Sequence, residues 1–88
     1  MTIYEKAIIK WGQSSQIWKI QEECLELSLA ISNMNCETKD KMLAKENFIS
    51  EVADVCIMMK QDELIIGKHI LDAQIHNKLQ KLKKHLDT

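Results

Sequence analysis

The chain has 88 residues, 45% of them apolar and 28% charged, with a formal charge of −1, no proline and two glycines. That length allows one domain. The composition excludes a disordered chain, and the charge balance excludes a polybasic nucleic-acid surface outside the C-terminal Lys78, Lys81, Lys83 and Lys84, which read as the solvated face of a last helix.

No apolar run reaches the roughly 18 residues of a membrane span, so no membrane partner is expected, and the N-terminus does not read as a signal peptide. Cys24, Cys36 and Cys56 form no CxxC pair and read as reduced thiols of a cytoplasmic protein. With so few helix breakers, residues 1–88 are expected to form a single all-α domain. Thr2 is placed to cap a short first helix running through Trp11, with Glu5 at the capping-box position. Gly12 interrupts the chain. Ser14 or Ser15 is the expected cap of a second helix over about Gln16 to Asn33, and Met34 to Lys39 reads as a connector. A third helix is expected over about Asp40 to Ile66, ended by Gly67, and a fourth over about Lys68 to Leu86.

The second helix carries two apolar stripes. Ile17, Ile20, Cys24, Leu27, Ile31 and Met34 follow 3-4 spacing on one face, and Trp18, Leu25 and Leu29 mark another. At about 100° per residue, the strip between them holds Lys19, Glu23, Glu26 and Ala30. On the third helix Phe48, Val52, Val55, Met59 and Ile66 share a face, and Ile49, Ala53, Cys56, Ile57 and Leu64 widen it almost around the helix. A helix apolar on most sides is expected to be buried on most sides. Four helices in a chain this short cannot cover all of that surface, so a dimer or higher assembly is expected.

Within this apolar setting sit Glu22, Glu23 and Glu26 on the second helix and Glu51 and Asp54 on the third. Residues three apart share a helix face, so Glu23 projects with Glu26 and Glu51 with Asp54. Both pairs are mid-helix, beside Cys24, Leu25, Leu27, Val52, Val55 and Cys56. If the two helices pack antiparallel, four carboxylates converge. Lys19 alone cannot balance them, and a hard divalent cation with oxygen ligands, Mg2+ or Mn2+, fits the donor set.

The string EECLE at Glu22–Glu26, followed after 24 residues by EVAD at Glu51–Asp54, resembles the paired EExxE and ExxD signature of the MazG-like and all-alpha dUTPase-type nucleoside triphosphate pyrophosphohydrolases. The resemblance covers nearly the whole chain: KWGQSSQIWKIQEECLEL resembles the approach to the metal-binding helix, EVADVCIMMKQ the helix after it, and HNKLQKLKKHL the C-terminal end. It implies a four-helix, bundle-like module that assembles as a homodimer or homotetramer. Magnesium would be held by Glu23, Glu26, Glu51 and Asp54, with Glu22 in a secondary role. The implied reaction is hydrolysis of a nucleoside triphosphate, of the dNTP kind, to the monophosphate and pyrophosphate, with Glu26 or Glu23 accepting the proton of the attacking water. Lys78 and Lys81 match basic positions of that family, and Asn77 lies beside them. With Lys19 they are the expected phosphate and ribose contacts. Trp11, beside Gly12, stands near where such proteins build the base pocket. Trp18, on the face of Leu25 and Leu29, reads as an interface residue.

Two other readings compete. One is phosphoribosyl-ATP pyrophosphohydrolase, although VCIMMKQ after Asp54 lacks the aromatic-histidine pair usual there. The other is a non-enzymatic helical oligomerisation or partner-binding protein whose acids serve solubility. An isosteric series separates surface acids from ligands. As surface charges, Glu26→Gln and Asp54→Asn should each change unfolding free energy by about 0.5 kcal/mol or less. As ligands they abolish catalysis, and the metal-free protein gains stability in denaturant titration.

Overall fold

The computed structural model describes residues 1–37 and 39–87. It is all-helical, with four helices in chain order: α1 (Ile3–Trp11), α2 (Gln13–Met34), α3 (Lys41–Ile66) and α4 (Lys68–Leu86). Helix α1 starts as its sequence suggests. The Glu5 backbone N–H donates to the Thr2 hydroxyl at 3.1 Å, and the Thr2 backbone N–H donates to the Glu5 carboxylate at 2.9 Å. The Thr2 backbone N–H first, and the Thr2 hydroxyl second, hold the Glu5 carboxyl below its ordinary value. Helix α2 starts earlier than expected. Gly12 occupies its cap position at φ +87° and gives no side-chain bond, so Ser14 and Ser15 lie inside the helix rather than capping it. Gly12 and Gly67 (φ +105°) both occupy backbone regions that favour glycine, which lets one helix stop and the next start with no intervening loop.

Helix α3 has the stronger start. Asp40 accepts from the backbone N–H groups of Met42 at 3.0 Å and Leu43 at 3.2 Å. Lys41 ties the connector down by donating to the carbonyls of Met34 at 2.9 Å and Cys36 at 3.0 Å. Thr38, within that connector, lies outside the described residues.

The principal packing is α2 against α3, an antiparallel hairpin. Asn33 lines one cavity with Leu43, Ala44 and Asn47, while Gln16 lines another with Met58 and Gln61. One helix therefore ascends as the other descends. Helix α1 lies against both, and α4 touches α3 alone among the described residues. The molecule measures 45 × 43 × 19 Å with a radius of gyration of 16.4 Å, against about 12 Å for a compact domain of this length.

The seam between α2 and α3 differs from the expected apolar face. Its buried residues are Gln16, Glu23 and Ala30 on α2 and Ala44, Met58 and Gln61 on α3. Ile20, Leu27, Met34, Phe48, Val52 and Val55 are half-buried, whereas Ile17, Cys24, Ile31, Cys56, Met59 and Ile66 are exposed. The strip containing Glu23 and Ala30 faces α3, and much of the apolar surface points away from the single chain. Replacing Asp40 by alanine removes both cap bonds and should cost about 0.5–2 kcal/mol, read as a lower urea midpoint with an unchanged slope.

Candidate functional site

The seam brings the four sequence-predicted ligands together. Glu23, Glu26, Glu51 and Asp54 each offer a carboxylate oxygen, and these four atoms all lie within 4.8 Å of one another. Spacing of three residues puts each pair on one helix face, and the antiparallel hairpin turns the two faces toward each other. Ala30, fully buried one turn beyond Glu26, lets the helices pack closely at this level.

The environments of the four acids differ. Glu23 is only 7% exposed, Glu51 and Asp54 are half-buried, and Glu26 is exposed. One Glu23 oxygen pairs with Lys19 Nζ at 3.3 Å. Its other oxygen, Oε2, is buried without a hydrogen-bond partner, as is Glu51 Oε2. Lys19 also reaches Glu22 at 3.4 Å, and Glu23 first and then Glu22 hold its ammonium above its ordinary value. Glu22 stands outside the four-acid group, on the rim of the adjoining cavity.

Two unit charges about 5 Å apart repel by roughly 3 kcal/mol at an effective dielectric of about 20. Four such acids repel in every pairing, a load comparable with the whole stability of about 5–15 kcal/mol of a small domain. Positive charge has to offset it, and Lys19 supplies one unit at one edge. The donor set is entirely oxygen, which suits magnesium or manganese rather than zinc. With Mg–O bonds of 2.0–2.1 Å, opposite ligands of an octahedron stand about 4.2 Å apart. Adjacent ligands stand only about 2.9 Å apart, so the four carboxylates would draw together around a cation, and the two orphaned buried oxygens are the atoms it would satisfy.

Next to the acids lies an open cavity of about 460 Å³ lined by Trp11, Ser15, Gln16, Trp18, Lys19, Glu22, Met58 and Gln61. No family model, curated protein or solved structure matches this chain.

Trp11 and Lys19 both line this cavity. Trp18, read from the sequence as an interface residue, lines the same cavity. Asn77, Lys78 and Lys81 are not brought to the site: all three are exposed on α4, which does not contact α2 among the described residues. Sequence reasoning missed Gln16 and Gln61, two glutamines buried in the cavity wall. Their signal was spacing: Gln16 precedes Glu23 by seven residues and Gln61 follows Asp54 by seven, which repeats a helix face.

Magnesium should raise the melting temperature of EDTA-treated protein, by the equivalent of about 2.7 kcal/mol at a hundredfold excess over Kd. Glu23→Gln should be more stable than wild type without metal and should lose this response. Equal magnesium shifts in both proteins would remove the cluster as a cation site.

Proposed function

We propose that this chain is a magnesium-dependent nucleoside triphosphate pyrophosphohydrolase of the MazG-like, all-alpha kind, acting as a homodimer or homotetramer. The observation that carries the reading is the convergence of Glu23, Glu26, Glu51 and Asp54 in the α2–α3 seam, with buried oxygens of Glu23 and Glu51 left without partners. The adjoining tryptophan-lined cavity supplies space for a nucleoside.

In this reading the four carboxylates hold the cation. When bound, magnesium neutralises charge along the triphosphate and acidifies nearby water. Glu26 is the best placed of the acids to accept a proton, because it is exposed and can return the proton to solvent. Glu23 is buried and already paired with Lys19. Water adds to the α-phosphorus as its proton passes to the Glu26 carboxylate. The bond from the α-phosphorus to the α–β bridging oxygen breaks, and its electron pair leaves with pyrophosphate. Lys19 offers a cation at the boundary between the cluster and the cavity.

The assembly follows from the outward apolar surface. Trp18, Leu25 and Leu29 on α2 and Ile70, Leu79 and Leu82 on α4 are exposed in the single chain. A second copy covering these faces would also be the route by which Asn77, Lys78 and Lys81 reach a triphosphate. The same surface favours a second reading, a helical partner-binding protein, but that reading assigns nothing to the orphaned carboxylate oxygens.

The test is a panel of ribo- and deoxyribonucleoside triphosphates with magnesium, following pyrophosphate and monophosphate together. At least one substrate should yield the two in equal amounts, with turnover falling at least a hundredfold in Glu26→Gln. Release of orthophosphate in place of pyrophosphate, or no hydrolysis anywhere in the panel, would rule the reading out.

A further inference from the structure

The cavity holds two polar side chains that the hydrolytic chemistry does not use. Gln61 is 5% exposed and Gln16 is 6% exposed, and both line the cavity beside Trp11, Trp18 and Met58, with Ser15, Lys19 and Glu22 completing its wall. The Gln61 carbonyl oxygen is buried with no hydrogen-bond partner. Leaving such a group unpaired costs about 1–3 kcal/mol, and a leucine or methionine at that position would avoid the cost. Because Gln61 lines the cavity, a rotation of its side chain would present that unpaired acceptor to a donor arriving with a ligand.

The position of the two amides identifies the kind of ligand. Gln16 lies two helical turns before Glu23, and Gln61 two turns after Asp54, on helices that run in opposite directions. Both therefore fall at the same end of the seam, about 10 Å along the axes from the carboxylates. Lys19 and Glu22 line the wall between cluster and cavity. That is the separation between the α-phosphate of a nucleotide and the far edge of its base. A carboxamide presents an acceptor beside a donor, the complement of a nucleobase edge that carries an N–H beside an acceptor. Tryptophan supplies a stacking surface that every base can use.

Resting on the pyrophosphohydrolase reading for its substrate, we propose that Gln61, assisted by Gln16, reads the hydrogen-bonding edge of the nucleobase in the cavity walled by Trp11 and Trp18, and so sets base preference. Stacking holds the ring, and the Gln61 carbonyl accepts from its N–H. A base blocked at that nitrogen leaves the amide unpaired and is rejected.

The experiment titrates the full-length protein with the common deoxynucleosides, an analogue N-methylated on the pairing edge of the preferred one, and deoxyribose as the baseless control. Quenching of tryptophan fluorescence is followed in EDTA, so neither metal nor hydrolysis is required. Wild type should bind one base class best and bind its N-methylated analogue at least about tenfold more weakly. Gln61→Met, close in volume, should weaken the preferred nucleoside by a similar factor and flatten the ranking of bases, while melting at or above the wild-type temperature. Gln61→Leu serves as a second apolar variant should the first not fold. A merely structural glutamine would give the opposite pattern, with a lower melting temperature and an unchanged ranking. The proposal is overturned if no nucleoside binds wild type, or if a folded Gln61 variant keeps the wild-type ranking. Gln61-dependent nucleoside binding without pyrophosphate release would retain the base-reading role and discard the hydrolase. Pyrophosphate release with a base ranking indifferent to Gln61 would do the reverse.

Discussion

Four carboxylates turned into one seam between two helices set the terms for the rest of this molecule. Glu23 and Glu51 bury an oxygen each without a partner, and Lys19 offsets only part of the accumulated charge. An ordinary helical hairpin places its leucines and isoleucines between the helices and its acids outside. Here the seam contains Gln16, Glu23, Gln61 and two alanines, while Leu25, Leu29, Ile49 and Ile57 face outward. Full burial of a side chain such as Met58 contributes on the order of 2 kcal/mol, and few residues contribute on that scale. The seam is therefore held in place by other means.

Those means are local hydrogen bonds and backbone turns. The capping box at Thr2 and Glu5, the double cap at Asp40 and the two carbonyl bonds from Lys41 fix where the helices begin and how the connector runs. Gly12 and Gly67 allow abrupt changes of direction. Across the second of these, Lys68 pairs with Glu63 at 3.2 Å, and within α4 it pairs with Asp72 at 3.2 Å, although ion pairs this exposed contribute little. The hairpin geometry thus does not depend on a large core. A charged seam survives if a cation occupies it, and the outward apolar faces are covered if further copies pack against them. Both belong to the proposed working form.

The cluster and the cavity form one continuous feature. Lys19 pairs with Glu23 and also lines the cavity. Chemistry at one end and recognition at the other are set by the same two helices in the same register. A slip of one helix past its neighbour would disturb both together.

Much of this was legible in the sequence, because helix geometry is periodic. The absence of proline, the breaks at two glycines and the cap at Thr2 defined four helices. Spacing of three put Glu23 with Glu26 and Glu51 with Asp54. The start of α2 was misplaced because serine is a common cap, whereas Gly12 turns the chain through backbone freedom alone. Which strip of a helix faces its neighbour is a tertiary matter. Both helices carry apolar residues over most of their circumference, so periodicity could not single out the strip of Glu23 and Ala30 as the buried one. Nor could it show that a glutamine two turns from each acid pair would lose its contact with water. The sequence by itself determined the helices and the pairing of acids within each, since both follow from a fixed rise and rotation per residue. Only the tertiary structure decided that the two acid pairs meet, that Gln16 and Gln61 line a cavity beside them, and that α4 stays clear of α2 among the described residues. Those outcomes depend on the angle and register between helices, which no single helix encodes.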